Sequence, residues 1–244
     1  MSWRWIPPLQ ADGSTQMAID RWMLDCQTAG TGSACLRLYR WSRPTLSLGR
    51  HQRQIEPHWL ELRDRGDLDL VRRPSGGRAV LHAGEITYAL ACHPASSHRL
   101  TAYNHACLWL QELFSSLGLP LQFGQVRASQ ASQRGNCFAS GTAADLVHGD
   151  GSKRIGSAQL WQGPYLLQHG SVLLSPPGDL WQAVFHEPPP QLPDLPVDSQ
   201  GLEALLRQAA QEHLCGGSLL EKPLSEQEWL AIEGWREAQG SGLD

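Results

Sequence analysis

Short strands joined mostly by tight turns, with fewer helices between them, predict an α+β chain of mixed, mainly antiparallel sheets with helices packed on them. Three observations carry this. Segments such as Glu85–Cys92 alternate with period two, placing Ile86, Tyr88, Leu90 and Cys92 on one face. Turn residues separate such segments, as at Ser75-Gly76-Gly77 and His148-Gly149-Asp150-Gly151. Two stretches have the apolar spacing of amphipathic helices instead, one near the start and one after Thr101.

Taken in order, Ser14 or Thr15 is positioned to cap a helix in which Ala18, Trp22 and Cys26, flanked by Ile19 and Met23, recur at helical spacing up to Gly30 and Gly32. Leu36 and Leu38 alternate with Arg37 and Tyr39 as in a half-buried strand, and Thr45–Leu48 reads as another. Pro57 suits the first turn of a short helix through Arg63, closed by Gly66. Leu68–Arg73 alternates, and after the glycine break come Ala79–His82 and Glu85–Cys92. Thr101 is placed to cap a helix with the stripe Ala106, Leu110, Leu113, Phe114 and Leu117, stopped by Gly118 and Pro120. Strand and hairpin signals return from Cys137 to Leu174.

The organisation expected is a main domain over 1–186, a proline-rich linker over 187–200 and a short helical C-terminal tail over 201–244. The tail carries two helical patterns, near Leu202–Leu214 and Ser225–Ala238. With 244 residues, 41% hydrophobic and 18% charged, the composition is that of a soluble globular protein. A net charge of -4 argues against general nucleic-acid binding. No apolar run approaches the roughly 20 residues that cross a bilayer, and the first residues lack the apolar core of a secretory signal. A cytoplasmic protein with no membrane partner is expected. The six cysteines include no Cys-x-x-Cys pair and are expected as thiols, with no metal site.

Three segments carry chemistry. Arg72-Arg73-Pro74-Ser75-Gly76-Gly77-Arg78-Ala79-Val80-Leu81-His82 pairs glycines at a strand end, where a ligand can approach backbone amides. It lacks the Lys-Ser/Thr ending of a phosphate-binding loop, and a tight hairpin with exposed arginines fits it equally well. In Gly135-Asn136-Cys137-Phe138, Cys137 sits beside small and polar residues. A free thiol of pKa ~8.5 is only a few per cent ionised at pH 7, and an unassisted cysteine is more often inert. Lys153 opens the stretch Lys153-Arg154-Ile155-Gly156-Ser157-Ala158, whose small residues leave room for a ligand, and it supplies the cation a thiolate needs. His169-Gly170 begins the next strand, although a lone histidine is more often structural.

These blocks together resemble the lipoate ligase and octanoyl transferase family, which shares its catalytic fold with biotin protein ligases. The likeness runs from Met17-Ala18-Ile19-Asp20 through Leu36–Gly49, Arg72–Tyr88 and Cys137–Leu174. Gly76–His82 followed by Glu85-Ile86-Thr87-Tyr88, with the Cys137–Ser140 block, is most similar to the cysteine-dependent octanoyl transferases of Bacillus type. ATP-dependent ligases usually carry a third glycine where Arg78 stands, favour Asn in place of Thr87 and lack the cysteine. Ala83 departs from the aspartate frequent after the motif histidine.

The resemblance implies an acyl thioester on Cys137 and a Lys153 that stabilises the thiolate and donates to the acyl carbonyl. It implies an acyl site formed by Arg73, Ser75, Gly76, Gly77, Ala79 and His82, faced by Gly156, Ser157, Ala158, His169 and Gly170. The acyl carrier protein would be the donor, lipoyl domains or the glycine-cleavage carrier protein the acceptors, and no cofactor would be required. Burying the roughly six methylenes of an octanoyl chain at ~0.8 kcal/mol each gives about 5 kcal/mol, enough to select medium chains. The acceptor amine, with pKa ~10.4, is neutral in only about one molecule in a few thousand at pH 7. Its proton needs an acceptor, for which His169 and His82 are candidates. Three alternatives stay open on sequence: an ATP- and Mg-dependent lipoate ligase, an amidotransferase between lipoyl domains, and a binding protein without turnover.

Overall fold

The computed structural model describes residues 2–124 and 145–239, within which eleven strands and six helices are found. Strands β1 (Trp3–Ala11), β2 (Cys35–Trp41), β6 (Glu85–Cys92), β7 (Gln122–Phe123), β8 (Asp145–Val147), β9 (Lys153–Gln162), β10 (Tyr165–Leu173) and β11 (Leu219–Glu221) form one sheet in the order β11-β1-β2-β6-β10-β9-β8-β7. Strands β3 (Thr45–Leu48), β4 (Asp69–Arg72) and β5 (Val80–His82) form a second in the order β4-β3-β5. Pairing is parallel for β1 with β11 and β2, and for β3 with β4; the other pairs are antiparallel. The mixed, mainly antiparallel α+β architecture is therefore present.

Alternation on the central strands divides the core into two layers. Even-numbered residues of β6 and β2, with Val172, pack against helix α3 (Arg99–Ser116) and helix α5 (Ser199–His213). The opposite face packs on helix α1 (Gly13–Thr28), through Cys35, Tyr39, Ala89, Ala91 and Leu167. Helix α6 (Glu226–Gln239) lies against α1. The small sheet has its own core with helices α2 (Pro57–Asp64) and α4 (Gly178–Phe185), where Trp59 donates from Nε1 to the Val184 carbonyl at 2.8 Å.

Several local expectations shift. The cap of α1 is Asp12, which accepts from the Thr15 amide and from the Ser14 and Thr15 hydroxyls, so the two anticipated caps donate rather than accept. Helix α3 starts at Arg99, two residues before Thr101, with no side-chain cap at His98. The β2 face holding Arg37 and Tyr39 is as buried as the face holding Leu36 and Leu38, each residue being 1% exposed or less. Strand β1 escapes sequence reading because Pro7 and Pro8 sit inside it. They are accommodated where its register to β2 shifts between Ile6 and Leu9, and β11 pairs only with Trp3–Trp5.

The proline-rich segment and the residues beyond it pack closely against the rest. Leu195 and Val197 lie on the α3–α5 core and Leu192 on the small-sheet core, while the Pro193 carbonyl accepts from Arg154. After α5, β11 extends the main sheet, and Arg4 holds α6 through Glu228 at 2.7 Å. Among the described residues no helix is long and apolar enough to cross a membrane.

Candidate active site

The site forms where the α1 face of the main sheet meets the small sheet. Period two sends His169 and Ser171 of β10, Thr87 of β6 and Tyr39 and Trp41 of β2 toward this junction, and β5 brings His82 to it. Together with Met17, Ser47, Arg73, Val80 and Gly156, Ser157, Ala158 and Gly170 they line a narrow cavity.

Each histidine is held by a carboxylate on one nitrogen and a serine on the other. His169 Nδ1 lies 2.7 Å from Asp20 Oδ2, and its Nε2 lies 2.5 Å from Ser75 Oγ. Asp20 Oδ1 accepts from Arg37 Nη2 at 2.7 Å and Nε at 3.0 Å, and the Tyr39 hydroxyl donates to Oδ2. Burial alone would push the Asp20 carboxyl up. The Arg37 charge and the His169 bond outweigh it and hold Asp20 below the ordinary carboxylate range. Burial, and then the Asp20 charge, push the Tyr39 phenol well up, so it stays a donor.

His82 forms the second chain. Its Nδ1 lies 2.5 Å from Glu85 Oε1 and its Nε2 2.7 Å from Ser47 Oγ. The ring stacks on Trp41 at 3.9 Å between centroids, 17° from parallel. Thr87 locks both partners, accepting from Trp41 Nε1 at 2.9 Å and donating to Glu85 Oε1 at 2.6 Å. With Glu85 as acceptor, His82 donates from Nδ1, and its Nε2 accepts from the Ser47 hydroxyl, whose oxygen accepts in turn from Arg73 Nη1 at 3.2 Å.

Arg73 is buried and braces the glycine turn. It donates to the Ser47 carbonyl at 2.9 Å, the Gly76 carbonyl at 2.8 Å and the Arg78 carbonyl at 2.7 Å. The hairpin with exposed arginines is thereby set aside at this position. Gly77 has φ of 100°, and its carbonyl would lie 1.9 Å from a Cβ added at Gly49, so the turn presses backbone to backbone. At Gly170 a Cβ would meet Ser157 Oγ at 2.5 Å and Tyr88 Cε1 at 2.7 Å.

Of the expected site residues, Arg73, His82, Gly156, Ser157, Ala158, His169 and Gly170 come together around the cavity. Ser75 reaches it through His169, while Gly76 and Gly77 form the turn that Arg73 holds. Ala79 points into the small-sheet core, and its neighbour Val80 lines the cavity instead. Lys153 is buried and paired with Asp145 at 2.8 Å, outside the cavity lining. Cys137 falls outside the described residues. Among those described, no group of three or more metal-ligating side chains occurs.

Sequence reasoning missed Asp20, Arg37 and Tyr39 as a unit, and also Trp41, Ser47 and Asp145. A weak signal existed for the first three: a carboxylate on the buried stripe of α1 demands a buried cation, and Arg37 stands among apolar neighbours in β2.

Comparison with known proteins places this architecture. Residues 12–198 match the lipoyl protein ligase A/B catalytic domain, and the chain belongs to that family of acyl-handling ligases and transferases. Within it the chain is an acyltransferase of the octanoyltransferase type. It is 33% identical to the octanoyltransferase LipM of Brevibacillus brevis over 99% of its own length and 87% of the relative's. With LipM of Geobacillus kaustophilus it shares 36% identity over 76% of the chain and 70% of the relative. A lipoate-protein ligase A bound with ATP superposes with a TM-score of 0.75 at 18% identity, covering 97% of this chain and 95% of that one. A bi-partite lipoate protein ligase from Thermoplasma acidophilum gives 0.73 at 16% identity, covering 97% and 92%; both show the shared fold.

Proposed function

We infer that this chain takes an octanoyl group onto Cys137 as a thioester and passes it to a lysine of a lipoyl-domain protein, in the cytoplasm and with no cofactor. The observation that carries this is the apolar slot between the two sheets, whose polar edge holds two carboxylate-anchored histidines. Relatives named octanoyltransferase over most of the chain support the octanoyl cargo. The acyl carrier protein is the donor in this reading. The acceptor class is supported by the archaeal ligase of the same fold, which is described together with its E2 lipoyl domain.

A thioester splits the transfer into two exchanges, acyl carrier to Cys137 and Cys137 to lysine. Lys153 brings the positive charge that stabilises a thiolate and an oxyanion. An ammonium carries three donors, so its pairing with Asp145 is compatible with a role at the acyl carbonyl. Arg73 keeps the glycine turn against the slot, and Gly170 keeps the slot open between β9 and β10.

The test is to incubate the protein with octanoyl carrier protein and weigh it intact. An octanoyl adduct that is absent from Cys137→Ser supports the relay; a Cys137→Ser variant that transfers at the wild-type rate overturns it. Octanoate with ATP, offered in competition, replaces the carrier-protein donor only if the chain works as a ligase.

A further inference from the structure

The acyl slot has a neighbour. A wider groove runs past Arg40, Arg43, Ala83, Gly84 and the segment from Leu192 to Ser199. The two spaces share two lining residues, Trp41 and His82. The stacked pair is thus the partition between the narrow cavity and a wider groove open to solvent. Glu85 lines the groove side only, is 5% exposed, and its Oε2 has no hydrogen-bond partner among the described residues. A buried carboxylate oxygen left unpaired is costly, and it suits a donor that arrives with a ligand.

We propose that the acceptor lysine enters by this groove, that Glu85 Oε2 receives its ammonium, and that His82 accepts its proton as the amine attacks the octanoyl group. This rests on the thioester reading above. The ammonium gives one proton to Ser47 Oγ as the Ser47 hydroxyl hydrogen moves to His82 Nε2, and the neutral amine forms a C–N bond to the acyl carbon. The C–S bond breaks with its electron pair left on the Cys137 sulfur, which takes the second amine proton; His82 releases its own to solvent.

Charge decides between the two histidines. A proton placed on His82 gives an imidazolium that neutralises the Glu85 carboxylate, with the Trp41 face beneath it, and leaves that pair with no net charge. A proton placed on His169 meets an Asp20 whose charge is already matched by Arg37, leaving a buried excess of positive charge. His169 is accordingly a positioning residue that orients Ser75, and His82 is the base.

The experiment follows the octanoyl-enzyme, made from octanoyl carrier protein, as it discharges to a lipoyl domain or to hydroxylamine. Hydroxylamine is unprotonated at neutral pH and needs no base, whereas lysine does. His82→Gln and Glu85→Gln are each expected to raise the hydroxylamine-to-lysine rate ratio about 100-fold, the usual size of a lost general base. A merely structural role slows both acceptors together and leaves the ratio unchanged, which overturns the proposal. So does His82→Gln discharging to lysine at the wild-type rate. Absence of any octanoyl adduct on the wild-type protein overturns the thioester reading itself, and this proposal with it.

Discussion

Lys153 Nζ lies 2.8 Å from Asp145 Oδ1, and both side chains are almost wholly out of water. Breaking one member of a buried pair costs about 3 to 5 kcal/mol, whereas replacing both with apolar groups costs far less. Asp145→Asn is therefore expected to lower the unfolding free energy by about 3 kcal/mol in urea denaturation. The double variant Lys153→Met/Asp145→Leu is expected to regain much of that stability and still form no octanoyl-enzyme by intact mass. Acylation at the wild-type rate by the double variant would remove Lys153 from the chemistry.

The Asp20 cluster predicts a pH dependence of a definite sign. The Asp20 carboxyl titrates lower in the folded protein than in the unfolded chain, through Arg37 and His169 acting against its burial. Its contribution is complete above the unfolded value and is lost as pH falls through the folded one. Acid unfolding of the native protein should steepen in that window. Asp20→Asn should flatten this part of the profile and lower stability at neutral pH, both read by circular dichroism across a pH series.

Gly170 offers a steric prediction. An added Cβ would lie 2.8 Å from the Gly156 carbonyl as well as against Ser157 and Tyr88. Gly170→Ala must push β9 away or displace Tyr88, whose hydroxyl bonds Ser157 and Gln168. Overpacking of this kind costs about 1 to 3 kcal/mol. The expected result is a lower melting temperature with a raised KM for octanoyl donors, and a shift in preference toward shorter chains.

Thiol labelling should separate the cysteines. Burial pushes Cys35, Cys92, Cys107 and Cys215 up to about 12, so hardly any thiolate exists on them at pH 8. Iodoacetamide applied to the native protein is expected to spare all four, and peptide mapping should find them modified only after denaturation. An octanoyl group mapped to any of the four would contradict the relay through Cys137.

What the sequence disclosed and what it hid follow from distance along the chain. The even face of β6 and the stripe of α3 were legible because their periodicity is local, and the packing honours it. Asp20 was not, because its histidine partner lies 149 residues away. Alternation at Arg37 and Tyr39 read as solvent exposure, since a pattern records polarity and not whether a second polar residue arrives to satisfy it. Spacing alone left Arg73 equally well placed as an exposed hairpin residue for the same reason, although its partners include carbonyls of the very turn it braces. The family blocks named the histidines; only the fold revealed that Glu85 and Asp20 give them different electrostatic surroundings.

The parallel pairing of β11 with β1 also bears on synthesis. A nascent chain leaving the ribosome presents Trp3–Trp5 early, but the partner strand ends at Glu221 and emerges far later. Until then the outer edge of β1 remains an open template on which another chain could pair. Chaperone dependence during translation, and aggregation of products that stop before Leu219, would be the cellular signature of a sheet in which β1 is closed by β11.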